Sequence, residues 1–305
     1  MTLKRYRELA IVTTVGICVL VVAGGAVRLT GSGLGCDDWP NCNDQRFIDV
    51  TSGHTAIEQL NRLLSGLIGL PTLLLAIVSF RAAKRGSGLR WPALGVLVSV
   101  VANAVVGGIA VIVDLHPAMI MSHFLLAMVS IAFGLIAIRA GSGVPISWRL
   151  LDGQNRLHQL VGALMILMIA ALVTGTVVTG AGPHAGDEEA RRFGFDIGSV
   201  ARFHSVTVIA SIATAILIAL IIRRGTEFAP LQSALSSWFF VGLVQGGIGY
   251  TQYFNGVPEL LVGVHIAGAT LLWFLTLRLG IAMLDLAGSG GTSSRNAIDA
   301  ESFAT

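Results

Sequence analysis

Residues 105–127 read VVGGIAVIVDLHPAMIMSHFLLA, and residues 244–269 read VQGGIGYTQYFNGVPELLVGVHIAGA. Each stretch holds a Gly-Gly-Ile, then a proline, then a histidine in otherwise apolar sequence, so the two halves of the chain echo each other. A membrane-crossing helix needs roughly 20 mostly apolar residues. Runs of that kind fall at 9–27, 63–80, 91–113, 117–138, 157–179, 203–222, 233–251 and 258–281. Four spans in each half give repeats of the same orientation, related by an axis along the membrane normal. The expected fold is an all-α integral membrane protein of eight transmembrane helices, built as two four-helix bundles. Residues 1–139 form the first half, 140–284 the second, and 285–305 a disordered cytoplasmic tail.

The composition agrees. Of the 305 residues, 54% are hydrophobic and 12% charged, where a soluble domain carries about 25% charged residues. The first run is too long for a signal-peptide core and lacks an A-x-A cleavage site, so it counts as a span. Lys and Arg collect in cytoplasmic loops. Of the 20 here, only Arg28, Arg46, Arg62, Arg191, Arg192 and Arg202 fall on the side opposite the termini. Both termini are therefore expected in the cytoplasm of a multi-pass cell-membrane protein, with two long external loops at about 28–60 and 180–202. A net charge of +3 with scattered basic residues argues against nucleic acid as a partner.

Six of the seven histidines, His54, His116, His123, His184, His204 and His265, fall in external loops or at the outer ends of spans; only His158 is on the inner side. His204 opens span six and His265 lies about two turns into span eight, so both can point into the second bundle at similar depth. Two such imidazoles suit the axial positions of a haem. A lone intramembrane histidine more often bonds a neighbouring helix, but ionisable groups at that depth are costly and usually functional. Aligning TAIEQLNRLLSG (55–66) with GSVARFHSVTVIAS (198–211) sets Asn61 opposite His204. The first bundle thus keeps one evident axial histidine, His123. A zinc site lacks the short Cys/His spacing, and GSGLGC (31–36) lacks the spacing and the preceding strand of a nucleotide loop.

Glu58 lies one turn before Asn61 on the same helix face. It reads either as a group over the first bundle's outer cavity or as a charge complementing a helix start. Arg62 and Arg202 occupy comparable places in the two halves, where each can meet a haem propionate or simply snorkel. Cys36 and Cys42, in GCDDWPNC (35–42), face an oxidising exterior and can form a disulfide, as a redox-active bond or as a plain staple. Cys18 reads as a small core residue.

GGAVRLTGSGLGCDDWPNC, IEQLNR, GGI before MSHFLLA, VTGAGPHAGD and GGIGYTQY before HIAGA occur in this order along the chain. Over about residues 8–281 the sequence resembles the haem A synthase family. The resemblance implies an enzyme, a membrane oxidoreductase that converts the C8 methyl group of haem O to a formyl group for terminal oxidases. It implies haem b held by His204 and His265, haem O as substrate near His123, Glu58 as the catalytic carboxylate, and the cysteine pair Cys36 and Cys42. Two departures stand out: Asn61 replaces a histidine found in many members, and the second external loop lacks the further cysteine pair found in some. Expected partners are the lipid bilayer, the farnesyltransferase that supplies haem O, an electron donor that the sequence does not name, and a second copy of the chain. The rival reading is a non-catalytic b-type cytochrome, a quinol-linked carrier or haem shuttle, which has no need of Glu58.

Overall fold

The computed structural model describes residues 2–82, 88–143 and 156–302, with side chains to 286. Among the described residues the chain is helical and has no strand of its own. The helices are α1 (Leu3–Leu29), α2 (Gly53–Ala82), α3 (Arg90–Ile112), α4 (Pro117–Ala140), α5 (Arg156–Ala181), α6 (Ile197–Ile222), α7 (Ala229–Phe254) and α8 (Glu259–Ser302). All but α7 are long and apolar enough to cross a membrane, α8 through its part Glu259–Leu286. At 26 residues α7 is also long enough. Gln232, Ser233, Ser236, Ser237 and Gln245 lower its hydropathy, so seven helices rather than eight qualify on composition. The tail expected to be disordered at 285–305 is continuous with α8 as far as Ser302, while its side chains from 287 onward lie outside the described residues.

Local chemistry moves two helix starts outward from the expected spans. Ser52 and Thr55 cap each other reciprocally, each backbone amide donating to the other's hydroxyl at 2.9 and 3.1 Å. This starts α2 ten residues before the apolar run and puts Glu58, Asn61 and Arg62 on a regular helix. At α6, the Asp196 carboxylate accepts the Ser199 amide at 2.7 Å, satisfying an otherwise orphaned donor. The loops before α2 and α6 are shorter than expected for the same reason. Pro117 opens α4 behind His116, whose ring accepts the Ala118 amide.

Each helix of the first four packs against two others, α1 on α2, α2 on α3, α3 on α4 and α4 on α1, and α5 to α8 repeat that ring. The groups meet through α1 against α8, α4 against α5 and α4 against α8. Buried side chains of α4 to α8, with Ile17 and Val96, make one continuous core. Polar ties are built into it, since a buried indole N–H must find an acceptor. The Trp238 indole donates to Thr276 at 2.9 Å, and the Trp273 indole reaches across to the Met128 carbonyl at 2.9 Å. Arg139, in the last turn of α4, pairs with Asp285 of α8. Val12, Val98, Ile166 and Phe240 are largely exposed, as lipid-facing side chains should be.

Candidate functional site

The helix pairs place three imidazoles against glycines. A β-carbon on Gly107 of α3 would lie 2.8 Å from Cε1 of His123 on α4. One on Gly175 of α5 would lie 3.1 Å from Cε1 of His204 on α6, and one on Gly249 of α7 would lie 3.2 Å from Cε1 of His265 on α8. In each case a helix backbone, rather than a side chain, forms the wall behind the ring. Gly107 and Gly249 stand the same number of residues before their histidines.

Hydrogen bonds fix the tautomers of two of these rings. Nδ1 of His123 is 3.0 Å from the Asn103 carbonyl. A carbonyl only accepts, so Nδ1 carries the proton and Nε2 is left as a bare lone pair. Nδ1 of His204 is 3.1 Å from the Thr174 hydroxyl, which spends its own hydrogen on the Ala170 carbonyl at 2.7 Å. That hydroxyl can only accept from the ring, and Nε2 is again bare. This is the arrangement of a metal-binding imidazole, with one nitrogen oriented by an outer partner and the other free to ligate. His265 sits close enough to His204 to interact electrostatically. Its backbone carbonyl accepts from the buried Gln245 amide at 2.6 Å, and its Nδ1 is buried without a partner.

The other histidines are used differently. Nε2 of His184 is 2.7 Å from the Val257 carbonyl, so that nitrogen bears the proton and the residue straps the loop between α5 and α6 to the turn before α8. His54 reaches Ser32 at 3.0 Å.

Over the first group lies the loop closed by a disulfide between Cys36 and Cys42, both fully buried. Gly35 runs so near the start of α2 that a β-carbon would lie 2.3 Å from the His54 carbonyl oxygen, which only glycine permits. Trp39 lies flat on Gly108 of α3, next to the glycine that backs His123. Glu58 is only 4% exposed. Its Oε2 accepts the Cys36 amide at 2.7 Å, and its Oε1 accepts both Nε and Nη2 of Arg62 at 3.1 and 2.6 Å. Arg62 also donates to the Asp38 and Asn41 carbonyls at 2.9 and 2.8 Å. Its guanidinium is thus engaged with the disulfide loop, where the sequence left a propionate contact and simple snorkelling both open. Arg202 is exposed and donates to Ser199 at 2.9 Å.

Outside the spans, two loop carboxyls are held below the usual carboxylate range. Asp49 owes this first to the Thr51 hydroxyl and amide, then to Asn43 and Arg46. Asp196 owes it to the Ser199 hydroxyl and amide and to Arg202.

Several buried polar atoms of the described residues have no partner. They include Oδ1 of Asn61, Oδ1 of Asn103 and Nδ1 of His265. Buried polar groups normally find a partner, so these atoms and the bare imidazoles suit a large ligand with an axially open metal, and a haem matches that donor set. The sequence did not single out Asn103, Thr174 or the three backing glycines. The first Gly-Gly-Ile contains Gly107, whereas Gly249 lies one residue beyond the second.

Apolar helices in two rings, with three imidazoles each backed by a glycine of a neighbouring helix, define a multi-pass helical membrane protein. The family model described as cytochrome oxidase assembly protein matches residues 7–55 and 47–277. The chain belongs to that family, in agreement with the haem A synthase resemblance of its motifs. It is 35% identical over 127 residues to haem A synthase of Bacillus mycoides (strain KBAB4) and 34% identical over 127 residues to haem A synthase of Bacillus cereus (strain AH187). The matched stretch covers 41% of this chain and 41% of each of these relatives.

Proposed function

We propose that this protein is a haem A synthase that oxidises the C8 methyl group of haem O to a formyl group, with haem b as a resident cofactor. The observation that carries the reading is the tautomer set: His123 and His204 each hold Nε2 bare by giving the Nδ1 proton to a fixed acceptor. The relatives' names point the same way. His204 and His265 would hold haem b in the second group, and His123 would hold haem O in the first. Bound there, the porphyrin irons supply the electron transfer and oxygen chemistry that side chains cannot.

The chain's own residues do the rest. Asn61, at the place of a second histidine, brings an amide in place of a strong iron ligand and leaves that side of the substrate site open. Glu58 takes the proton released as the methyl carbon is oxidised, at its Oε1 or Oε2, directly or through one water. Arg62 positions Glu58 and balances its charge, and Arg202 remains the candidate for a propionate contact. Trp39 and the disulfide loop cover the site and exclude water from the outer end.

The reading includes eight crossings, with α7 as the eighth. Its 26 residues measure about 39 Å, beyond the roughly 30 Å of hydrocarbon. The two halves, 1–139 and 140–284, are proposed as a same-orientation repeat. Exchanging α1 with α5 and α4 with α8 turns the α1–α8 contact into the α5–α4 contact, which supports a two-fold relation. Both termini are placed in the cytoplasm and both haem sites toward the exterior. The test is chromatography of haem extracted from cells that make haem O, with and without this chain. Haem A should appear only with it, and haem O alone in both samples would refute the assignment.

A further inference from the structure

The last turn of α1 brings Arg28 to the outer junction of the two helix groups. Its Nη2 donates to the Thr179 carbonyl in the last turn of α5 at 2.7 Å, and its Nε is buried without a partner. The second external loop folds over it. The Gly186 carbonyl accepts the Gly33 amide at 2.8 Å, and a β-carbon on Gly186 would lie 3.7 Å from Cγ of Arg28. The same loop carries Arg192, fixed by donation to the Ala190 and Pro183 carbonyls at 2.7 Å each. Its positive charge is near enough to act on Arg28. Among the described residues, no acid forms an ion pair with either arginine.

The two guanidinium groups repel, and Arg28, unlike the exposed Arg192, has a donor shut away from water. Leaving a buried charge uncompensated is strongly unfavourable, and an oxyanion removes both penalties. The guanidinium edge formed by Nε and a terminal nitrogen offers two parallel donors that match the two oxygens of a carboxylate or phosphate.

We propose that Arg28, with Arg192 beside it, forms an oxyanion site at the junction of the two helix groups, taking a carboxylate or phosphate oxygen pair on the Nε edge of Arg28. The anion comes from a propionate of a haem bound in one of the groups, or from the phosphate of a lipid headgroup. The propionate source rests on the haem reading above, and the lipid source does not.

The test compares the wild type with Arg28→Gln and Arg28→Lys. Each is titrated with haem b and with its propionate dimethyl ester, followed by absorbance. Each is also melted in nanodiscs of a phosphate-free glycosyl diacylglycerol, with and without phosphatidylglycerol. For a propionate, the wild type prefers the free acid over the ester by about 10- to 100-fold, Arg28→Gln loses the preference and Arg28→Lys keeps part of it. For a lipid phosphate, phosphatidylglycerol raises the melting midpoint of the wild type but not of Arg28→Gln, and the ester binds as well as the acid. A wild type that shows neither response overturns the site, as does Arg28→Gln keeping the wild-type response in full. The wild-type comparisons stand even if the glutamine variant fails to fold. Should no haem bind at all, the haem reading fails while the phosphatidylglycerol comparison still decides the site.

Discussion

Replacing Arg62 with methionine removes the cation that neutralises a buried carboxylate while keeping most of the aliphatic volume. The side chains of Arg62 and Glu58 are 18% and 6% exposed, so bulk water reaches the pair poorly. Breaking a buried pair from one side costs about 3–5 kcal/mol; the partial exposure of Arg62 favours the lower end. The Asp38 and Asn41 carbonyls lose their donor too, but water can replace it at the outer edge. The Cys36 amide, which donates to Glu58 at 2.7 Å, is a local reporter. A loss of about 3 kcal/mol speeds its hydrogen exchange by roughly 100-fold. Adding Glu58→Gln to Arg62→Met removes the stranded charge and should recover a substantial part of that loss. Exchange in Arg62→Met within about twofold of wild type, or a double variant no slower than the single one, would refute the view that this ion pair clamps the loop.

Four further outcomes follow from the same geometry. His204→Ala and His265→Ala should each abolish a low-spin b-type haem spectrum in the purified protein; two unchanged spectra would mean that another site holds the haem. Asn61→His should shift haem O in the first group toward a six-coordinate low-spin state, read by electron paramagnetic resonance. Gly107→Ala sets a methyl 2.8 Å from the His123 ring, well inside the ~3.5–4.0 Å optimum for carbon contacts. The ring must leave the Asn103 carbonyl, and haem O affinity should fall by about 10-fold, whereas Gly24→Ala, which meets nothing within 4 Å, should bind normally. The folded-state depression of Asp49 and Asp196 stabilises the external loops above the ordinary carboxylate range, and that contribution is lost as pH falls through the lowered values. Protease nicking of both loops should stay flat from neutral pH to about 5 and rise only below about 4.

The apolar runs were legible because they are a matter of composition, and the helices follow them. Hydropathy could not give the true start of α2, which depends on the Ser52 and Thr55 cap rather than on apolar residues. The apolar run at 233–251 did give α7 its place, and it packs between α6 and α8, although serines and glutamines keep it from being apolar enough to count as a span on composition. The commitment of Arg62 was hidden for a different reason. A basic residue near a membrane surface has many partners open to it, and only the fold brings the Asp38 and Asn41 carbonyls to its fork. The tautomers of His123 and His204 likewise depend on Asn103 and Thr174, distant in sequence, which no local pattern connects to them.

The most direct measurement compares the wild type with Glu58→Gln, each purified, supplied with haem O, reductant and oxygen, and analysed by chromatography of the extracted haem. Glutamine is nearly isosteric and should leave haem O bound, so the account predicts haem A from the wild type and haem O alone, or nearly so, from the variant. Haem A formed at the wild-type rate by Glu58→Gln would contradict the role given to the carboxylate, and its absence from both samples would contradict the proposed activity.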